Sequence, residues 1–157
     1  MLTRARFLRC AGVAAAALAM KARAEAASND GVVRVKSAYG FQETIERLKN
    51  DIAAKGIRFF DEIDQAKLAA DAGIELNPST LLIFGNPPLG TQFITANPNA
   101  GLDWPVRLLV TQDNAGAVWA VYTDFAWIAA RHRIGNRGHQ FKMASMVIAS
   151  ITSSVKV

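Results

Sequence analysis

Apolar positions along this chain switch between two periods, and the switches mark its elements. Val33 and Val35 alternate with Arg34 and Lys36, so residues 32–37 predict a half-buried strand. Phe41, Ile45, Leu48 and Ile52 then recur at spacings of four, three and four, which is one face of a helix. Glu43 and Arg47 support it one turn apart, and Gly56 terminates it. Residues 57–63 (Ile-Arg-Phe-Phe-Asp-Glu-Ile) predict a second strand, and Asp64 is placed to cap a short helix over 65–72, closed by Gly73. Leu81-Leu82-Ile83-Phe84 runs without a polar break, the pattern of a central strand buried on both faces. It stops at Gly85-Asn86-Pro87-Pro88, where Gly permits positive φ and two prolines cannot continue a ladder, so a stiff loop is expected. Residues 91–96 predict another short helix and 97–101 a loop.

Val106, Leu108 and Val110 alternate with their neighbours in a fourth strand. Asp113-Asn114-Ala115-Gly116 is a hairpin turn by composition, and 117–123 is the returning strand, with Trp119 and Tyr122 on opposite faces. Asp124 caps a helix over 125–133, whose basic end suits the helix dipole. Gly135 to Gly138 breaks it. A last helix over about 139–154 carries Phe141, Ala144, Ile148, Ile151 and Val155 in one stripe. The order of strands, hairpin and helices predicts an α+β domain, an antiparallel sheet layered with helices. With no internal repeat in 157 residues, a single domain over 32–157 is expected.

The first residues follow a different pattern. Arg4, Arg6 and Arg9 precede an Ala-rich apolar run of 11 residues from Cys10 to Met20. That is too short for the roughly 20 residues of a membrane-spanning helix. Ala22-Arg23-Ala24 then forms an A-x-A site. Basic, apolar and small, in that order, predict a cleaved export signal over 1–24, a linker over 25–31, and a periplasmic or secreted product with no stable membrane span. A twin-arginine (Tat) signal needs adjacent arginines, and Ala5 separates Arg4 from Arg6, which favours the Sec route.

Removing that leader changes the charge argument. Five of the 18 basic residues lie in it and no acidic one, which leaves 13 basic against 13 acidic residues. The whole-chain charge of +5 therefore comes from the leader and gives no ground for nucleic-acid binding. Cys10, the single cysteine, leaves too, so the mature domain has no disulfide, thiol nucleophile or thiolate metal site.

At this point the residues resemble a family. Ile63-Asp64, Gly73-Ile74-Glu75-Leu76, Thr80-Leu81-Leu82-Ile83-Phe84-Gly85-Asn86-Pro87, Leu102-Asp103-Trp104-Pro105-Val106-Arg107 and Val118-Trp119-Ala120-Val121-Tyr122 look like the domain-of-unknown-function family DUF302, over about residues 32–133. The resemblance implies a β-α-β(4)-α domain, similar to the TATA-binding-protein fold, with helices packed on one face of the sheet and often dimeric. It implies no established activity. Members often have His after Ile-Asp, where this chain has Gln65.

Candidate chemistry is sparse. Asn86 sits where the central strand ends, and its amide serves either a ligand or its own backbone, the latter being favoured. Asp103 and Arg107 flank Pro105 and suit an ion pair or an anion site. A ligand, if small, is expected between Asn86, Asp103 and Arg107. Asp61, Glu62 and Asp64 cannot all converge on a metal from an alternating strand, and His132 and His139 lack metal-ligand spacing, so no metal is expected. No nucleophile elbow, phosphate loop, dinucleotide fingerprint or paired carboxylates appear, so no cofactor is expected and the reading leans away from an enzyme. A small-ligand-binding module is the leading reading, and a structural or partner-binding homodimer is the alternative. The dimer reading rests on the stripe from Phe141 to Ile151 and on the tryptophans.

The leader yields the first prediction. Protein recovered from the periplasm should begin near Glu25, or two residues later, by N-terminal sequencing. An intact Met1 on a cytoplasmic product would overturn the assignment.

Overall fold

The strands β1 (Val32–Lys36), β2 (Arg58–Asp64), β3 (Ser79–Gly85), β4 (Val106–Gln112) and β5 (Val118–Thr123) form one antiparallel sheet in the order β1-β5-β4-β3-β2. The helices are α1 (Phe41–Ala54), α2 (Gln65–Asp71), α3 (Pro87–Ala96), α4 (Phe125–Arg131) and α5 (Gly138–Ser153), with a 3-10 turn over Pro98–Leu102. This computed structural model describes residues 30–157, so the expected export leader over 1–24 and most of the expected linker over 25–31 lie outside the described residues. The fold is α+β with the helices packed on one face of the sheet, as expected.

One face of the sheet makes the core. Leu82, Phe84, Leu108, Val110, Val118 and Ala120 are buried there with Ile45, Leu48 and Ile52 of α1 and Phe141, Ala144, Ile148 and Ile151 of α5. The period of α1 read from the sequence is the face it buries. Phe93 of α3 stacks on Phe141 at 4.1 Å between ring centroids and tilts against Phe125 at 6.3 Å, which joins α3, α4 and α5. At the other end of the core, the buried hydroxyls of Ser37 and Thr44 meet at 2.7 Å and tie the end of β1 to the first turns of α1.

Several expectations change. The run Leu81–Phe84 is not buried on both faces: Leu82 and Phe84 enter the core, while Leu81 and Ile83 are half-buried on the opposite face. The reason is that helices cover only one side of the sheet. The stiff loop at Gly85–Pro88 is instead the start of α3, which begins at Pro87. Proline suits the first turn because its φ is already helical and the missing N–H has no partner there in any case. The expected loop at 97–101 is largely a 3-10 turn, with the Asn97 side chain accepting from the Asn99 N–H. In β2 the register shifts between Phe59 and Asp61, a bulge at Phe60 that strand alternation alone does not reveal. The stripe on α5 is buried in this chain's own core, so it is not available as a dimer surface.

Phe141→Ala removes the ring stacked on Phe93 and should lower stability by about 3–5 kcal/mol. Met146→Ala, on the exposed side of the same helix, should change it by less than about 0.5 kcal/mol. Chemical denaturation of the two variants checks both; equal midpoints would contradict the placement of α5.

Candidate functional site

The last residues of β3 and the first of α3 frame an apolar crevice. Asn86 is the N-cap of α3, in an extended conformation, and its Oδ1 accepts from the Leu89 N–H at 3.4 Å. Pro87 and Pro88 occupy the next two positions and have no N–H to satisfy. Gly85 and Gly90 flank this turn, and the indole of Trp104 fills the space their absent side chains leave. A Cβ on Gly90 would overlap the indole. Phe60, from the bulge in β2, meets the other side of Trp104 edge-on at 6.2 Å.

Beside the indole lies a crevice of about 40 Å³. Its walls are almost wholly apolar, from Phe84, Leu89 and Phe93 on one side to Phe125, Ala144 and Val147 on the other, with Asn86 at its rim. Val106 and Phe125 separate it from a second crevice of about 20 Å³, which Asp103 and Arg107 line. The structure thus brings Asp103 and Arg107 together and leaves Asn86 on the neighbouring crevice. No hydrogen bond among the described residues joins Asn86 to either of them.

Asp103 is the centre of a charged cluster. Its carboxylate is 6% exposed and meets His132 Nε2 at 2.6 Å and Arg131 at 3.2 Å from both oxygens. Arg107 is a weaker partner at 3.5 Å and also donates to the Leu102 carbonyl. Arg131 and His132 end α4, where carbonyls lack helical partners and cations are favoured. Asn97 donates to the His132 carbonyl at 2.9 Å, so the 3-10 turn and the end of α4 are held together twice. The expected pair of Asp103 with Arg107 is present, but its closest partner is His132, whose side chain is 5% exposed. Sequence reasoning missed His132. It lies 29 positions from Asp103, and no local pattern marks such a contact.

The remaining candidates have separate tasks. Asp61 accepts from the next backbone N–H, Glu62 pairs with Lys49 at 2.5 Å, and Asp64 caps α2 through the Lys67 N–H at 2.8 Å. No group of three or more His, Cys, Asp or Glu side chains gathers as a metal site among the described residues. Gln65 accepts from the Ser79 hydroxyl at 2.8 Å and borders neither crevice. His139 stands exposed on the first turn of α5. Among the described residues, two ionisations are displaced. The Trp119 indole N–H at 2.9 Å, with backbone N–H groups of the hairpin turn, holds the Asp113 carboxyl below its usual value. Burial, with the charge of Asp124, pushes the Tyr122 hydroxyl up.

Residues 33–151 match the domain of unknown function DUF302. This chain belongs to the DUF302 family. Its fold is similar to the crystal structure of an uncharacterized conserved DUF302 protein from Bacillus stearothermophilus. The TM-score is 0.73 over 80% of this chain and 98% of that one, and at 18% identity the likeness shows the fold alone. Two curated relatives carry the name fluoride-specific ion channel FluC 1, from Brucella suis and Brucella abortus. Each is 39% identical over 107 residues, 68% of this chain. The DUF302 chain spans only about 40% of the length of these relatives: 42% of the first and 40% of the second.

Substitutions separate the two polar features. Asn86→Ala should cost about 0.5–1 kcal/mol, the low end for an N-cap, because its bond is long and exposed. Asp103→Ala should cost more, about 1–3 kcal/mol, because it strands the buried His132 ring nitrogen. Urea denaturation at neutral pH checks the ranking; a larger loss from Asn86→Ala would reverse it.

Proposed function

We propose that this DUF302 protein is an exported, non-catalytic binding domain, and that its ligand is small, mostly apolar and seated against Trp104. The observation that supports this reading is the arrangement of Gly85, Gly90 and Trp104. Two glycines admit an indole at the end of the central strand, and the indole walls a crevice lined otherwise by aliphatic and aromatic side chains. Apolar concavity with one or two polar groups at its edge is the usual form of a small-molecule site. Asn86 supplies the polar group: its Oδ1 serves the helix cap, and its Nδ2 makes no hydrogen bond among the described residues. At about 40 Å³ the crevice as it stands has room only for a very small group. Entry of a ligand therefore displaces the half-buried lining residues Leu89 and Val147.

Asp103 and Arg107 have a supporting part here. Their cluster anchors the turn carrying Trp104 to the end of α4 and so fixes the wall formed by Val106 and Phe125. The leader over 1–24 carries the assignment to the periplasm or exterior. Ion transport belongs to the name of relatives more than twice the matched length, and we propose none for this chain. None of the described helices is long and apolar enough to cross a membrane.

Fluorescence tests the reading. In a variant with Trp119→Phe and Trp127→Phe, a small naphthalene probe should change Trp104 emission saturably. Val147→Phe, which adds bulk to the lining of the crevice, should weaken that binding by about tenfold or more. A response that never saturates, or that is unchanged by Val147→Phe, would remove the crevice as the site.

A further inference from the structure

Charge is divided unequally along this domain. From residue 125 to the end of the chain no acidic residue occurs, against Arg131, Arg133, Arg137, Lys142 and Lys156. α3 and the 3-10 turn carry no carboxylate either. Most acidic residues lie instead on α1 and along residues 61–75, where Asp61, Glu62, Asp64, Asp71 and Glu75 follow one another. A domain whose charges balance in total is therefore polarised, with an acid-free helical end.

The basic end has few partners of its own. Asp103 is buried, and Arg131 and His132 engage it. Arg133, Arg137 and Lys142 form no ion pair among the described residues. On α1, which packs against α5, Glu43 and Asp51 are matched by Arg47 and Lys55 of the same helix, which leaves Glu46.

Apolar side chains stand among these cations. At about 100° per residue, Lys142, Met143 and Met146 fall within an arc of about 100° on the side of α5 away from the core. The same arc holds His139, Ser150 and Ser153, and all six are exposed. Met143 is 37% and Met146 55% exposed. Leu102, 65% exposed, ends the 3-10 turn next to Asp103, the residue that holds Arg131.

We propose that this face of α5, with the turn before it, docks on a membrane surface that carries anionic lipid headgroups. The unmatched cations supply the attraction, and each one near such a surface strengthens binding on the order of fivefold. Methionine is unbranched and flexible, so Met143 and Met146 can enter among the headgroups while the serines stay level with them. Single-stranded nucleic acid is held by cations interleaved with aromatic rings, and the exposed arc of α5 has no aromatic residue but His139. The helix lies along the surface, since no described helix is long and apolar enough to cross a membrane. The proposal stands apart from the crevice beside Trp104, because none of the residues that carry it lines that crevice.

Vesicle co-sedimentation tests it. A chain beginning at Glu25 keeps every described residue and the whole core, and omits the apolar run over 10–20, which would add its own affinity for lipid. Phosphatidylcholine vesicles containing phosphatidylglycerol should bind this chain at least about tenfold more tightly than phosphatidylcholine alone. Salt at about 1 M, where the Debye length is about 3 Å, should remove most of that difference. R133Q/K142Q should weaken binding to the anionic vesicles by about tenfold or more, and Met146→Ser by about threefold. Lys67→Gln, on α2, should leave it within about twofold. All four positions are exposed and outside the core, so each variant keeps the fold. No binding, equal binding to the two kinds of vesicle, or binding that R133Q/K142Q leaves unchanged would overturn the proposal. Tighter binding to single-stranded DNA or to polyglutamate than to the anionic vesicles would do the same.

Discussion

Burial of one sheet face beneath α1 and α5 is the interaction on which the remaining structure depends. Leu82, Leu108, Val110 and Ala120 are fully enclosed there, as are Leu48 and Ile52 of α1 and Ile151 of α5. The transfer of these side chains from water is the main favourable term available to a domain of this size. Because successive residues of a strand point to opposite sides, dedicating one face to the helices commits every alternate residue to the other. The half-buried row of Ile63, Leu81, Leu109 and Val121 is therefore a direct product of the same register that builds the core. Those residues are as apolar as the ones facing the helices, yet none of them packs against the core.

The end of β3 shows a different economy of space. Trp104 lies where Gly85 and Gly90 leave room, so a large aromatic group reaches the junction of sheet, α3 and the turn before β4. Its peptide bond to Pro105 is cis. On one side of the adjoining strand is an apolar crevice with a single amide at its rim, and on the other is a carboxylate ringed by Arg107, Arg131 and His132. The charged cluster is consumed by holding the turn to α4. The apolar side is the one the proposed binding role uses.

Membership of DUF302 and the likeness to the Bacillus stearothermophilus structure agree with this architecture and add no chemistry. The match to longer relatives named as fluoride channels shows that a stretch homologous to this domain also occurs within larger proteins.

Local chemistry determined much of this molecule. The period of α1, the cap at Asp124, the hairpin closed by Gly116 and the break before α5 all depend on residues a few positions apart, and each is where its pattern places it. The order of strands and helices follows from the same signals. Tertiary structure decided what those signals leave open. An uninterrupted apolar run reads alike whether one face or two are buried, so only the single helical layer shows that Leu81 and Ile83 stand outside the core. Two prolines read as a loop until the strand before them and Trp104 beside them fix the direction of the chain, after which they begin α3. The approach of His132 to Asp103 depends on α4 returning beside the 3-10 turn, a contact across 29 positions that no local pattern encodes. Interactions within a turn are set by backbone geometry along the chain, whereas these three are set by which surfaces pack, and packing exists only once the whole sheet has formed.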